Sequence, residues 1–171
     1  SGATVGWTPS SDIVNALEPV QPPTQRAIFG FGDSGSPTSI TNLVNSSGVV
    51  GSDVTGVGTA RWHLGASGYG FDKAIFAYGK AATELSISNL VNNSGVVAAD
   101  VSGVGTARRG LGAASYGGDK AVFAYGDPGS NTTTSLKNLV NNSGVVAADV
   151  TGVGTVRRFL AAASYGSTGQ A

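Results

Sequence analysis

The sequence has no cysteine, no methionine and a single histidine. Without cysteine there can be no disulfide, no thiolate metal site and no thiol nucleophile. The lone histidine, His63, cannot by itself assemble the convergent ligands of a metal centre or an acid–base pair. It also falls in one copy of the repeat described below, where the other copies have Gly110 and Phe159. Charge is sparse as well: ten basic residues balance ten acidic ones, with no basic run. A nucleic-acid partner would call for a clustered positive face. No window reaches the ~18 apolar residues that span a bilayer. No charged segment followed by an apolar one opens the chain as a signal would. These features read as a soluble, mature protein that has lost its initiator methionine, or as a fragment that begins at a cleavage.

What the 171 residues do hold is repetition, and 27 glycines. The stretch from Asn89 to Arg108 returns almost letter for letter as Asn138 to Arg157, and an earlier copy runs from Asn42 to Arg61. A second phrase travels with it. Asp72-Lys-Ala-Ile-Phe-Ala-Tyr-Gly79 recurs as Asp119-Lys-Ala-Val-Phe-Ala-Tyr-Gly126, and more loosely as Gln25-Arg-Ala-Ile-Phe-Gly-Phe-Gly32. Ala27, Ala74 and Ala121 are spaced by 47 residues. The step from Asn89 to Asn138 is 49, because the segment from Asp127 to Ser135 carries two extra residues. A fixed period in the range of roughly 20–50 residues signals a repeat architecture.

Each repeat predicts four short strands. In the second copy these are Ala74 to Tyr78, Leu85 to Val91, a strand opening at Val96-Val97, and Arg108 to Tyr116. Asn92-Asn-Ser-Gly95 reads as a turn, because Asn and Gly accept positive φ cheaply. Glycines interrupt every helical window. Four strands at this period match a propeller blade. The segments 26–70, 71–117 and 118–166 are the three expected blades, preceded by an arm at 1–25.

In that arm, Ser10, Ser11 and Asp12 can cap one helical turn over Ile13 to Leu17. Trp7, Pro9, Ile13, Leu17 and Pro19 either pack on the chain's own domain or form a docking arm for another protein.

The carboxylates Asp53, Asp100 and Asp149 each lie eight residues before Arg61, Arg108 and Arg157. They are read as structural turn chemistry, accepting backbone N–H bonds while the arginines reach the carboxylates or the carbonyls of the next blade. One carboxylate and one hydroxyl per loop is too thin a ligand set for calcium. Asp72-Lys73 and Asp119-Lys120 read as linkers between blades. Gly103-Val-Gly105 has no Gly-Lys-Ser/Thr after it to make a phosphate loop. Asn45, Asn92, Asn131 and Asn141 open Asn-x-Ser/Thr triplets, which are more simply repeat turns. Tyr78, Tyr116 and Tyr125 read as buried, leaving no aromatic platform for a sugar. No catalytic residue, metal or cofactor is expected.

With Ala74-Ile-Phe-Ala-Tyr-Gly79 and Thr106-Ala-Arg108 ahead of the Leu111 to Tyr116 strand, the chain resembles Kelch-like repeat proteins, in the divergent form found in marine bacteriophage and marine microbial sequences. The likeness covers Arg26 to Gly166. It departs in reducing the paired glycines to Tyr-Gly and in lacking the usual tryptophan. The resemblance implies an all-β fold of Kelch-like propeller blades and a virion component. Three blades cannot close a ring, since propellers take about 4 to 8. Two chains would supply six, with Arg26 and Ala27 of one following Tyr165 and Gly166 of the other, as a C2 homodimer; the runner-up is a monomeric three-unit solenoid completed by a different partner. The expected function is a non-enzymatic capsid decoration protein on the virion exterior. Its arm would dock on the major capsid protein or another virion protein, with weak glycan contact from the loops. The alternative is a receptor- or glycan-binding propeller module of a phage fibre.

Overall fold

A computed structural model describes residues 25–166. The residues singled out in the arm, Trp7, Pro9, Ile13, Leu17 and Pro19, lie outside the described residues, as does the helical turn expected over Ile13 to Leu17. The described chain contains strands and no helix, arranged as three small antiparallel sheets. The first pairs β1 (Ala27–Asp33) with β2 (Pro37–Val44). The second runs β3 (Gly65–Tyr69), β4 (Lys73–Ala77), β5 (Ser88–Val91). The third repeats that order with β6 (Gly112–Tyr116), β7 (Lys120–Ala124) and β8 (Lys137–Val140). All-β architecture was the expectation, and it holds.

Glycine and small polar residues keep the strands short. Past the outer strand of each sheet the chain turns back and touches it again, through Val44 to Val50, Val91 to Val97 and Val140 to Val146. The asparagine opening each of these turns closes it. Asn92 Oδ1 accepts the amides of Ser94 at 2.9 Å and Val96 at 3.0 Å, and Asn45 and Asn141 do the same. Gly95 takes φ 82° to complete the bend, where a side chain would be strained.

The strand that closes each sequence repeat hydrogen-bonds with the repeat that follows. β6, at the tail of the second repeat, pairs with β7 of the third, from Gly112 opposite Ala124 to Tyr116 opposite Lys120. β3 likewise pairs with β4. Asp72-Lys73 and Asp119-Lys120 therefore sit in hairpin turns inside one sheet rather than between sheets. Each Asp carboxylate accepts from its neighbouring Lys Nζ at 2.8 Å.

The middle strands carry the core. β4 is buried on both faces, which explains its unbroken apolar run. Phe76 faces the first sheet with Phe31, Val91 and Val97. Ile75 and Ala77 face the third with Ala121, Phe123 and Val140. Aromatic edges knit the layers: Phe31 meets Phe76 at 5.2 Å between centroids, and Tyr78 meets Phe123 at 5.6 Å. Truncating a fully buried aromatic leaves a cavity as well as losing transfer energy. Phe123→Ala should destabilise the chain by about 3–5 kcal/mol, measured as a lower denaturant midpoint at unchanged slope.

Candidate functional site: the junction between sheets

The repeated polar residues converge where one sheet meets the next. Asp100 belongs to the second repeat, but its partners come from the first. Its carboxylate accepts the amide of Thr59 at 3.1 and 3.2 Å and the Thr59 hydroxyl at 2.6 Å. Asn89 Nδ2, within the second repeat, donates to it at 2.9 Å. Asp149 repeats this with Thr106 and Asn138. Burial alone pushes both carboxyls up, but the hydrogen bonds from threonine and asparagine and the charge of Arg61 or Arg108 hold them below their ordinary value. Glycine at 58 and 105 is required by space, since a side chain there would run into the asparagine and the carboxylate.

Arg61 completes the joint from the other direction. Its Nε donates to the Tyr78 carbonyl at 2.8 Å, its Nη2 to the Phe76 carbonyl at 3.4 Å, and its guanidinium lies 4.2 Å above the ring of Phe31. Arg108 does the same with Tyr125, Phe123 and the ring of Tyr78, and its Nη2 adds a bond to Asn138 Oδ1 at 2.7 Å. Both arginines are fully buried. Desolvation lowers Arg61 to about 10, countered in part by Asp100, so it stays charged at neutral pH. A planar fork that bonds carbonyls on one side and stacks on an aromatic on the other is a role lysine cannot take over. Phe31, Tyr78 and Tyr125 carry φ of 62°, 64° and 65°, rare for bulky residues. Each precedes a glycine, and in Tyr78 and Tyr125 the same turn presents the carbonyl that the arginine takes.

A second set of charges follows the same seam. Arg109 Nη2 meets Asp127 at 3.2 Å and its Nη1 meets Glu84 at 3.6 Å, while Lys80 holds Glu84 at 3.1 Å. Arg158 also donates to Asp127, which is fully buried. Backbone bridges cross here too, between Trp62 and Lys80 and between Arg109 and Asp127.

The residues singled out in the sequence divide by this geometry. Arg61, Asp100, Arg108 and Asp149 come together at two junctions, each aspartate meeting the threonine and arginine of the preceding repeat. Asp53 and Arg157 do not join such a set. Asp53 accepts only Asn42 Nδ2, at 2.8 Å, and Arg157 bonds only the Thr155 carbonyl, at 3.1 Å, among the described residues. Arg26 and Ala27 stand exposed at one end of the described chain, and Tyr165 and Gly166 at the other. Tyr78 is fully buried, but Tyr116, expected inside, is 40% exposed. His63 lies edge-on to Phe159 at 5.0 Å, beside Trp62. The described residues contain no group of three or more His, Cys, Asp or Glu placed to hold a metal ion. The threonines and asparagines of the junction were read only as repeat markers, Thr106 within Thr106-Ala-Arg108 and Asn89 and Asn138 at the start of their copies, although Thr59, Thr106 and Thr155 recur as faithfully as the arginines two residues later.

No family model matches the chain, and no curated protein matches it. Among solved structures it is similar to a fungal alcohol oxidase of the AA5 family in complex with copper, with 13% identity and a TM-score of 0.52. The match covers 74% of this chain and 28% of the oxidase, so the chain spans under a third of that protein. At this identity the likeness concerns the fold alone.

Replacing Arg108 with lysine leaves carbonyls of the third sheet without donors. Arg108→Lys should cost about 2–4 kcal/mol, read by chemical denaturation. The lowered carboxyls make the junction acid-sensitive. Their contribution is complete above the ordinary aspartate value of 3.8 and is lost as pH falls through the lower folded value. The melting temperature should therefore drop below about pH 4, and the Asp100→Asn, Asp149→Asn double variant should show a flatter profile over the same range.

Proposed function

We propose that the chain is a non-enzymatic structural protein: three Kelch-like blades forming half of a six-bladed ring, completed by a second copy, that decorates the outside of a virion. The observation that carries the joining role is the use of the repeated polar groups. Thr59, Arg61 and Asp100 at one junction, and Thr106, Arg108 and Asp149 at the other, serve to fasten one sheet to the next. The virion setting rests on the resemblance of the repeats to those of marine phage. An exposed valine at the same place in each repeat, Val49, Val96 and Val145, between 61% and 62% accessible, adds an apolar row suited to lying against another protein. Residues 1–25, with Trp7, Ile13 and Leu17, are the segment proposed to grip the capsid.

Particles of the phage carrying this chain, stripped of it, provide the test. The full chain should rebind and co-sediment, and the chain lacking residues 1–25 should stay in solution with its assembly state unchanged. Equal rebinding by the truncated chain, or binding of soluble glycan without any binding to particles, would overturn the reading.

A further inference from the structure

The two complete junctions supply a template for a third, and the described chain holds both halves of it at opposite ends. On the trailing face, Arg157 stacks 3.9 Å above Tyr125 as Arg108 does above Tyr78, yet among the described residues no carbonyl accepts from its Nε. Thr155 bonds no carboxylate among the described residues, whereas Thr59 and Thr106 each hold one. At Gly154 an added Cβ would meet only the Tyr125 hydroxyl, at 3.6 Å, whereas Gly58 and Gly105 are crowded by asparagine and aspartate. The segment from Ala161 to Tyr165 repeats the sequence of β6 except at its first position and lies beside it, with Ser164 hydroxyl 2.7 Å from that of Ser115, but pairs with no following strand among the described residues.

The leading face offers the missing partners. One edge of β1 is unpaired among the described residues, where β4 and β7 each accept a strand from the repeat before. Asp53 bonds no threonine among the described residues. Phe29 is 62% exposed, although Phe76 and Phe123 at the same place are 3% and 0%. The arm does not carry the matching residues at the repeat's spacing. Positions 12 and 14, where Thr59 and Arg61 would project back, are Asp12 and Val14, and the strand position holds Pro19 and Pro22.

We infer that the trailing face of one copy docks on the leading face of a second through this same junction, made twice in a two-chain ring. Arg157 then donates to the Phe31 and Phe29 carbonyls of the second copy while Thr155 takes its Asp53. Residues 161–165 add to the free edge of β1, with Tyr165 opposite Arg26 and Ser164 opposite Ala27. The shapes fit as knobs and holes. Phe123 packs against Gly65, Ala113 and Tyr78 inside the chain. One repeat later the corresponding place is a cavity of about 160 Å³ lined by Gly112, Tyr125, Arg157, Leu160 and Ala162, which receives Phe29. In return Tyr116 reaches the groove of about 420 Å³ beside Gly48 and Ala27, as Tyr69 reaches Gly144. This inference rests on reading the chain as half a ring and assigns the residues that close it.

The absence of native cysteine makes a direct test simple. Ala27→Cys and Ser164→Cys chains are purified separately, mixed and oxidised, and their masses are compared in solution and on non-reducing gels. The wild type should sediment at twice the 16.9 kDa chain mass. The mixture should yield a covalent pair that neither variant forms alone. Arg157→Ala combined with Asp53→Ala should weaken association roughly 30-fold or more, since it removes charged partners from a desolvated contact. Its circular dichroism should be unchanged. A two-chain species without the cross-link would overturn this junction and leave the ring reading standing. A monomer, or a ladder of open oligomers, would overturn both.

Discussion

A guanidinium held between an aromatic ring of one sheet and the carbonyls of the next is the constraint on which the fold depends. Removing Arg61 or Arg108 from water is costly, and the cost is met only when every side of the fork is engaged. The stacked ring fixes the plane, the carbonyls fix the direction, and the nearby aspartate supplies charge without a tight ion pair, Arg108 and Asp149 lying 3.9 Å apart. Adjacent sheets can then have only one separation and one rotation. The apolar contacts of Phe76 and Phe123 are non-directional and would tolerate sliding. The polar joint fixes which sliding position is native.

The small residues follow from that joint. Glycine at 58 and 105 leaves room for the asparagine–aspartate pair, and alanine and glycine in β3 and β6 let strands of successive sheets approach closely. A chain with so few large side chains obtains a core by stacking thin layers. Burial is therefore concentrated at the interfaces between sheets, in the clusters around Phe31 and Phe123. The outermost layers have an interface on one side only, which accounts for the exposure of Phe29 at one end and Tyr165 at the other. The proposed function draws on the same feature, because large apolar side chains left open on an outer layer suit it to assembly.

Much of this was legible in the letters. The period, the Asn-x-Ser-Gly turns and the short apolar strands are local features, set by backbone preferences over a few residues. The aspartates and arginines could be recognised as structural because they recur in step. The reach of the arginines to the next blade was also expected, but the pairing of each aspartate with a threonine of the preceding copy was not, because Asp100 and Thr59 are neighbours only after a strand has crossed to the following sheet. Tyr116 reads as buried by pattern, but it lies in the last of the three sheets and is 40% exposed.

The sequence by itself determined the repeat, the all-β class and the lack of residues for thiol or multi-histidine chemistry, since each follows from composition or from short-range order. Tertiary structure alone decided that the first and second repeats each lend their last strand to the next. It also decided that arginine, threonine and aspartate meet across that loan rather than within one copy. Sequence spacing records distance along the chain, whereas a hydrogen bond between sheets depends on how those sheets are stacked, and only packing sets that.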